Sequence, residues 1–190
     1  HLGGLGSDFA GGHGAMANYI VLPESKISKK PNALNMAEAA AFATAYTTAY
    51  VSLIRRGEMN PDDVVLIHGS SGGVGMAAVQ LAKMFGNTVI ATGTSDEKLK
   101  IVKSWGADFI LNTLQDGVTS FREEVKDLTD GKGADVIYDP VGGDVFDESI
   151  RCINWNGRLL IVGFTSGRLP SLPVNICLLY TSPSPRDSVV

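Results

Sequence analysis

Apolar and polar residues change their pattern along the chain, and the change predicts two regions. Residues 1–15 are rich in glycine and show no hydrophobic periodicity, which indicates a loop. The apolar run 17–23 predicts a short strand, and the polar residues 25–31 lead out of it. Because a stretch this short cannot bury a core of its own, we expect it to pack either against a part of the protein outside this sequence or against the domain that follows.

A helix is predicted from Met36 to Arg56. Asn35 and Glu38 have the spacing of a capping box, in which each side chain accepts a hydrogen bond from the other residue's backbone N–H. The alanine-rich segment after them favours helix. Gly57 is predicted to end the helix in the left-handed conformation.

From Val64 onward, short apolar runs alternate with segments of helical character. The strands are predicted at 64–68, 88–92, 109–111, 134–138 and 158–162, and the helices at 73–85, 96–105, 118–128 and 145–153. Continuous apolar strands are typical of a parallel sheet that is covered on both faces. Right-handed crossovers between them give an α/β fold with a doubly wound parallel sheet.

Composition narrows the partners that the chain could have. Hydrophobic residues make up 44% and charged residues 19%, and the net charge is −4 without any lysine- or arginine-rich run. We therefore expect neither nucleic acid nor a membrane surface as a partner. Cys152 and Cys177 form no CxxC motif, and the N-terminus lacks the features of a signal peptide, which favours a reducing, cytoplasmic setting.

A glycine-rich turn, Gly69–Gly75, lies between a predicted strand and a predicted helix. In this context Gly72 lets the main chain approach a pyrophosphate over the helix N-terminus, and Gly75 allows close packing of helix on strand. Ser70 stands where the G-x-G-x-x-G motif begins, so we expect its hydroxyl and that of Ser71 to bond to local backbone or to phosphate. A turn without any ligand is the alternative, whereas a P-loop is excluded because no Gly-Lys-Ser/Thr follows.

The tip of the second strand distinguishes the two nicotinamide cofactors. An NAD site places Asp or Glu there to bind the ribose hydroxyls, but this tip is the neutral Gly93-Thr94-Ser95. Ser95 can donate a hydrogen bond to a 2′-phosphate, and Lys98 a charge-assisted one. Asp96 is interpreted as the cap of a helix that starts at Glu97. The tip therefore favours NADPH over NADH.

Together with residues 138–143 (YDPVGG) and 157–164 (GRLLIVGF), these motifs carry a family resemblance. The chain resembles, as a fragment, the zinc-independent quinone oxidoreductases (zeta-crystallin-like enzymes) of the medium-chain dehydrogenase/reductase superfamily. The resemblance implies that residues 1–35 end a GroES-like catalytic domain. It also implies that residues 36–176 are a Rossmann NADPH-binding domain that lacks its last strand.

The resemblance also implies roles for individual residues. The residues expected to hold the pyrophosphate are Ser71, Gly72, Gly73, Val74 and Gly75. Those expected at the 2′-phosphate are Thr94, Ser95 and Lys98. Val141 and Gly142 would line the adenosine side, and Gly163 and Phe164 would border the nicotinamide ribose. Thr48 is a catalytic candidate near the nicotinamide, although a threonine within a helix commonly bonds back to a carbonyl one turn earlier.

No metal site is expected. Thr44 stands where zinc-dependent relatives have a cysteine ligand, and the chain's three histidines and two cysteines form no ligand cluster in the sequence. His68 is interpreted as a packed histidine at a strand end, and His13 as a solvated loop residue.

The implied activity is hydride transfer from NADPH to a quinone or an α,β-unsaturated carbonyl, in a parent enzyme that is a homodimer. An enoyl-thioester reductase of the same superfamily and a non-catalytic NADPH-binding protein stay open as alternatives. No proton donor is assigned, although Tyr19, Tyr46 and Tyr50 are candidates. A short-chain dehydrogenase is excluded because no Tyr-x-x-x-Lys occurs.

The last segment, residues 177–190, departs from the family pattern. Its start, Cys177–Asp187, resembles the in-frame translation of a sequencing-library adapter, and a Pro/Ser-rich linker is the alternative. We expect this tail to be non-native and the gene fragment to end at Ile176. Because the sheet would then have an unpaired edge at 158–162, we also expect this polypeptide by itself to be poorly soluble and inactive.

Overall fold

The computed structural model describes residues 18–115 and 118–173, so His13 and the predicted tail lie outside the described residues. The chain consists of two compact units, which meet in the sequence between Thr44 and Ala45. Before this division, the strand predicted over 17–23 is not found in residues 18–23, which precede a single 3₁₀ turn, Glu24–Lys26. Tyr19 and Val21 are 94% and 90% exposed. The prediction was wrong there because no described strand pairs with this run, and an apolar pattern without such a partner does not make a strand.

Helix α1, Met36–Tyr50, begins with the predicted capping box. The backbone N–H of Asn35 donates to Glu38 Oε2 (2.8 Å), and that of Glu38 donates to Asn35 Oδ1 (2.9 Å). The helix continues as a π-helical segment, Val51–Arg56, which ends in a hydrogen bond from Gly57 N to Ser52 O (2.7 Å). The predicted extent of the helix is thus confirmed, but its last turns are wider than an α-helix.

Gly57 does not have the predicted left-handed conformation. Its φ is −80°, and the left-handed residue is Glu58, with φ 44°. A β-carbon on Gly57 would lie 2.8 Å from Leu53 O and 2.9 Å from Leu160 Cδ1. Glycine is therefore required here by close packing rather than by backbone freedom.

The strands in the described residues are β1 (Val64–Ile67), β2 (Thr88–Gly93), β3 (Phe109–Asn112), β4 (Leu114–Gln115), β5 (Val118–Thr119), β6 (Ala134–Asp139) and β7 (Ile153–Ile161). Five of them form one parallel sheet in the order β3-β2-β1-β6-β7. Strands β4 and β5 form a separate antiparallel pair. The helices between them are α2 (Gly73–Met84), α3 (Asp96–Ser104), α4 (Arg122–Asp127) and α5 (Asp144–Ser149). This confirms the doubly wound parallel sheet.

Alternate residues of the central strands enter two separate cores. On one face, Val65 and Ile67 pack with residues of α2 and with Ala49 and Leu53 of the helix that precedes β1. On the other face, Leu66 packs with Phe121 and with Val125 of α4. Burial on both faces explains why the strands read as continuous apolar runs in the sequence.

Two predicted helices are shorter than expected. The helix predicted over 118–128 begins only at Arg122, because residues 118–119 pair with β4 before Phe121 enters the core. The helix predicted over 145–153 ends at Ser149, and β7 already begins at Ile153. β7 contains an irregularity between its pairings with Ala134 and Val136, where Asn156 has φ 57°.

In the described part of the chain, no helix combines the length and the apolar character that crossing a membrane requires.

Candidate functional site

The turn after β1 presents the N-terminus of α2 to solvent. Gly72 is the N-cap, with φ −80° and ψ 168°, and no side chain caps the helix. The N–H groups of a helix's first turn have no partner within the helix, so those of Gly73, Val74 and Gly75 need a partner from outside it. Since Ser71, Gly72 and Gly73 are exposed, this partner can be an anion.

The glycines of this turn serve two purposes. A β-carbon on Gly73 would meet nothing within 4 Å, so the space over the first turn is open. A β-carbon on Gly75 would lie 2.3 Å from Gly69 O and 2.8 Å from Ser70 Cα. The absence of a side chain at Gly75 therefore permits the close packing of α2 on the turn, whereas a β-carbon on Gly72 would lie 3.3 Å from Gly69 O and only the position at Gly73 is open.

Ser70 attaches the turn to the neighbouring strand. Its Oγ donates to Thr92 O (2.8 Å), and its backbone N–H donates to the same oxygen (3.0 Å). The side chain of Ser70 is fully buried, while Ser71 is exposed. Ser70 therefore bonds to the backbone of the neighbouring strand and not to the local backbone of the turn, whereas Ser71 is exposed.

The tip of β2 is neutral, as the sequence indicated, but its cap differs from the prediction. Ser95 is the N-cap of α3, and its Oγ accepts from Lys98 N at 3.4 Å. Asp96 is the first residue of the helix, and its Oδ1 accepts from Asn112 Nδ2 at 2.8 Å. The assignment of Asp96 as the cap was wrong, because Ser95 has the extended backbone (φ −138°, ψ 117°) that a cap requires.

Asp139, at the end of β6, organises the loop that follows it. Its Oδ1 accepts from the backbone N–H groups of Val141 (2.8 Å) and Gly142 (2.9 Å). The side chain is fully buried, and Oδ2 has no hydrogen-bond partner among the described residues. Burial raises the pKa of this carboxyl, against the lowering effect of the two N–H donors. Asp139 was not among the predicted site residues, although an aspartate directly before Pro-Val-Gly-Gly is typical of a turn held by its side chain.

The loop after β7 lies against the loop after β6. Val162 N donates to Asp139 O (2.8 Å), and Ser166 N donates to Val141 O (2.9 Å). A β-carbon on Gly142 would lie 3.6 Å from Phe164 Cδ1, and one on Gly163 would lie 3.1 Å from Pro140 O. The structure therefore brings together the four residues predicted on these loops, Val141, Gly142, Gly163 and Phe164.

All these loops meet at the carboxyl edge of the sheet. The strand order changes direction between β1 and β6, and such a switch point is where open α/β sheets bind their ligands. His68 N donates to Tyr138 O (3.0 Å) across this point, so the turn after β1 and the loop after β6 begin side by side.

The catalytic candidate Thr48 and the proton-donor candidates Tyr46 and Tyr50 lie on helix α1. Thr48 is half-buried in α1, and no described hydrogen bond connects its side chain to the loops at the carboxyl edge. Tyr46 Oη donates to Gln80 Oε1 of α2, so this hydroxyl already has a structural partner. Tyr50 is 44% exposed. The catalytic role of Thr48 stays a prediction.

His68 and Cys152 are buried, and both side chains are in their neutral forms near pH 7. His68 Nδ1 lies 2.7 Å from Thr92 Oγ1, and Nε2 lies 2.7 Å from Ser149 Oγ. Burial lowers the pKa of His68 to about 3, which confirms a packed, neutral histidine. Burial, followed by the charge of Glu148, raises the pKa of the Cys152 thiol to about 12. Neither side chain is available to an external ligand.

A family model described as zinc-binding dehydrogenase matches residues 73–188. The chain belongs to this family. It is 41% identical over 167 residues to the quinone oxidoreductase-like protein 2 homolog of Nematostella vectensis, covering 87% of this chain and 45% of that protein. The chain thus spans about half the length of the curated relatives it matches.

Solved structures of similar proteins have the same fold. The Escherichia coli quinone oxidoreductase complexed with NADPH gives a TM-score of 0.75 at 30% identity, covering 86% of this chain and 51% of that one. A putative enoyl reductase domain of a polyketide synthase gives 0.64 at 33% identity, covering 74% of this chain and 76% of that one. The predicted membership in the quinone oxidoreductase branch of the medium-chain superfamily is confirmed.

The family name implies zinc, but the described residues do not suit it. Residues 18–115 and 118–173 contain no group of three or more His, Cys, Asp or Glu side chains that could hold a metal ion. Cys152 is 1% exposed, and its raised pKa disfavours the thiolate that zinc binds. Both ring nitrogens of His68 have hydrogen-bond partners.

Proposed function

We propose that this chain carries the cofactor-binding domain of an NADPH-dependent reductase, which transfers hydride to a quinone or an α,β-unsaturated carbonyl without using zinc. The observation that carries the proposal is the open, uncapped N-terminus of α2 beside the neutral tip of β2. The E. coli relative, a quinone oxidoreductase complexed with NADPH, supports both the cofactor and the reaction.

The pyrophosphate would lie over the first turn of α2. The residues proposed to hold it are Ser71, Gly72, Gly73, Val74 and Gly75. Their backbone N–H groups and the positive end of the helix dipole favour an anion, and the open space at Gly73 accommodates its bulk. The hydroxyl of Ser71, which is exposed, adds one further donor.

The 2′-phosphate would lie at the tip of β2. Thr94 and Lys98 are exposed there, and Ser95 accepts from Lys98 N without using its own hydroxyl proton. These three side chains can donate to a phosphate, and Lys98 also supplies a positive charge. The nearest carboxylate in the sequence, Asp96, accepts from Asn112 and so has a structural partner.

The chemistry of the cofactor is the donation of a hydride from its reduced nicotinamide. The chain's own contribution is to orient and enclose it: Val141 and Gly142 on the adenosine side, Gly163 and Phe164 at the nicotinamide ribose, and Thr48 as a catalytic candidate. Interlocked loops give this arrangement rigidity, since Ser166 N and Thr165 N donate to the loop after β6. The homodimer implied by the family is part of the same proposal.

An enoyl-thioester reductase is the second candidate. It is supported by the likeness to a putative enoyl reductase domain of a polyketide synthase. Both candidates use the same cofactor site, so they differ only in the acceptor of the hydride. A protein that binds NADPH without turnover is a third reading of the same site.

Binding of the two nicotinamide cofactors tests the proposal. The chain, fused to a soluble carrier protein, is titrated with NADPH and with NADH, and binding is followed by cofactor fluorescence. Saturable binding with NADPH preferred by about tenfold or more is expected, which is the contribution of about one charge-assisted contact. No saturable binding of either cofactor would contradict the proposal.

The hydride acceptor is identified with the longer gene product from the same source. NADPH oxidation is followed with 1,4-benzoquinone, with an enone and with a crotonyl thioester. Preference for the thioester would favour the second candidate. NADPH binding without oxidation by any of the three would favour the non-catalytic reading.

A further inference from the structure

His68 connects three elements beneath the candidate site. It directly follows β1, and its ring is fully buried, with the ring of Phe121 4.9 Å away between centroids. One ring nitrogen reaches the side chain of Thr92 in β2, and the other reaches Ser149 in α5, each at 2.7 Å. A buried histidine with two such partners fixes the relative positions of the elements that carry them.

The directions of these hydrogen bonds follow from Ser149. Its hydroxyl donates to Val145 O at 2.7 Å, so its oxygen is left to accept from His68 Nε2–H. Nδ1 then has no proton and accepts from Thr92 Oγ1–H. The chain of bonds thus runs in one direction, from Thr92 through a neutral imidazole to Ser149 and on to the backbone of α5.

Thr92 is bound from two sides. Its side chain donates to His68, while its carbonyl oxygen accepts both from Ser70 N (3.0 Å) and from Ser70 Oγ (2.8 Å). His68 and Ser70 belong to the turn after β1, whereas Thr92 is the penultimate residue of β2. The turn that would hold the pyrophosphate and the tip that would hold the 2′-phosphate are therefore fixed to each other at Thr92.

We propose that His68 is a positioning residue for cofactor selectivity, which acts through Thr92 to set the tip of β2 relative to the turn after β1. The proposal rests on the function proposed above. Ser95 and Lys98 lie three and six residues beyond Thr92, so a shift of the tip displaces the donors to a 2′-phosphate. NADH has no 2′-phosphate, so it makes no contact with these donors that depends on a charge-assisted bond. Loss of the connection therefore weakens NADPH more than NADH.

Two single substitutions separate this role from a general structural one. Thr92→Val keeps the shape of the side chain and the backbone bonds to Ser70 but removes the hydroxyl that bonds to His68. Ser149→Ala removes the other partner of the same ring, on the α5 side. Each variant loses one buried hydrogen bond of His68, and Ser149→Ala also loses the bond from its own hydroxyl to Val145 O, so Ser149→Ala is expected to be destabilised at least as much as Thr92→Val. Only Thr92→Val breaks the connection to the tip of β2.

The experiment measures Kd for NADPH and for NADH in the carrier fusion of the full chain. Selectivity is the Kd for NADH divided by the Kd for NADPH. This ratio is expected to fall by about fivefold in Thr92→Val, which corresponds to the loss of one neutral hydrogen bond. In Ser149→Ala it is expected to change by less than about twofold. Unchanged selectivity in Thr92→Val, or an equal loss in Ser149→Ala, would overturn the role of His68 while leaving the proposed function intact. A parent chain that binds neither cofactor would overturn both.

An independent measurement does not require cofactor. The ¹⁵N chemical shifts of the His68 ring, assigned by comparison with His68→Phe, report which nitrogen carries the proton. A neutral ring protonated at Nε2 from pH 6 to 8 is expected. A ring protonated at Nδ1 reverses the bond to Thr92, and this result would overturn the arrangement on which the proposal depends.

Discussion

A β-carbon on Gly75 would lie 2.3 Å from the carbonyl oxygen of Gly69, a separation that no real side chain tolerates. The turn after β1 can only have its observed form because residue 75 has no side chain. Gly73 is two residues earlier on the same helix, and a β-carbon there would meet nothing within 4 Å. The two glycines therefore make a matched pair for experiment.

Gly75→Ala is expected to lower the free energy of unfolding by about 1–3 kcal/mol, because the new methyl group must displace the backbone of the turn. Gly73→Ala is expected to change it by less than about 1 kcal/mol, since alanine suits a helix better than glycine does. Urea denaturation followed by circular dichroism measures both values. Equal destabilisation by the two substitutions would show that close packing at Gly75 is not what requires glycine.

Lys98→Ala is expected to raise Kd for NADPH by about tenfold, because a charge-assisted bond to the 2′-phosphate is lost. Kd for NADH should stay the same. Lys100→Ala serves as the control, because Lys100 is also exposed on α3 but is not among the residues proposed at the 2′-phosphate. Fluorescence titrations at low and high salt measure the constants. Equal loss of NADPH affinity in both variants would show that any positive charge on α3 has this effect, and it would contradict a specific bond from Lys98 to the 2′-phosphate.

The buried carboxyl of Asp139 predicts a pH-dependent stability. Burial raises its native pKa above the unfolded value of about 3.9, so the native state binds the proton more tightly. The stability that this proton contributes is present below that value and is lost as the pH rises through the native pKa. Asp139→Asn, which stays neutral, should therefore gain stability relative to the parent chain as the pH is raised from about 4.

Urea denaturation from pH 4 to pH 8 measures this difference for Asp139→Asn. Asp139→Leu is the control, because it also lacks the titrating carboxyl but cannot accept from Val141 N and Gly142 N, and it should be less stable than Asp139→Asn by about 2–3 kcal/mol at every pH. A difference between the parent chain and Asp139→Asn that is independent of pH would contradict the raised native pKa.

Cys152 is expected to resist thiol reagents in the folded chain. It is 1% exposed, and burial raises its pKa to about 12, so both access and thiolate are scarce. In a Cys177→Ser background, the rate of reaction with a disulfide reagent at pH 8 should be lower than in urea by about a hundredfold or more. Rapid reaction without urea would mean that the second core, around Leu66 and Phe121, opens readily.

The sequence was sufficient for the sheet because its signals are local and strong. Apolar runs such as Val64–Ile67 are buried on both faces, and the capping box at Asn35 and Glu38 depends only on neighbours. The short strand β5 was read as helix because its pairing with β4 depends on a partner that periodicity does not show. The strand predicted in the apolar run before Glu24 is not found for the opposite reason, since no described strand pairs with this run.

Within the candidate site, the glycines could be predicted and the buried polar residues could not. Gly72, Gly73 and Gly75 carry a motif whose spacing has a physical reason. Asp139 and the bond from Thr92 to His68 depend on which strands are neighbours, and this follows only from the sheet order. Ser95 was recognised as part of the tip, but its capping of α3 depends on a backbone conformation that the sequence does not specify.

The bond from His68 to Ser149 also determines when the site can form during synthesis. Ser149 follows His68 by 81 residues, a delay of about 4 to 16 s at ribosomal rates of ~5–20 residues per second. Until β6 and α5 have been made, β1 lacks one of its neighbouring strands, and the Nε2 proton of His68 has no acceptor. The glycine-rich turn is thus translated early and matures late.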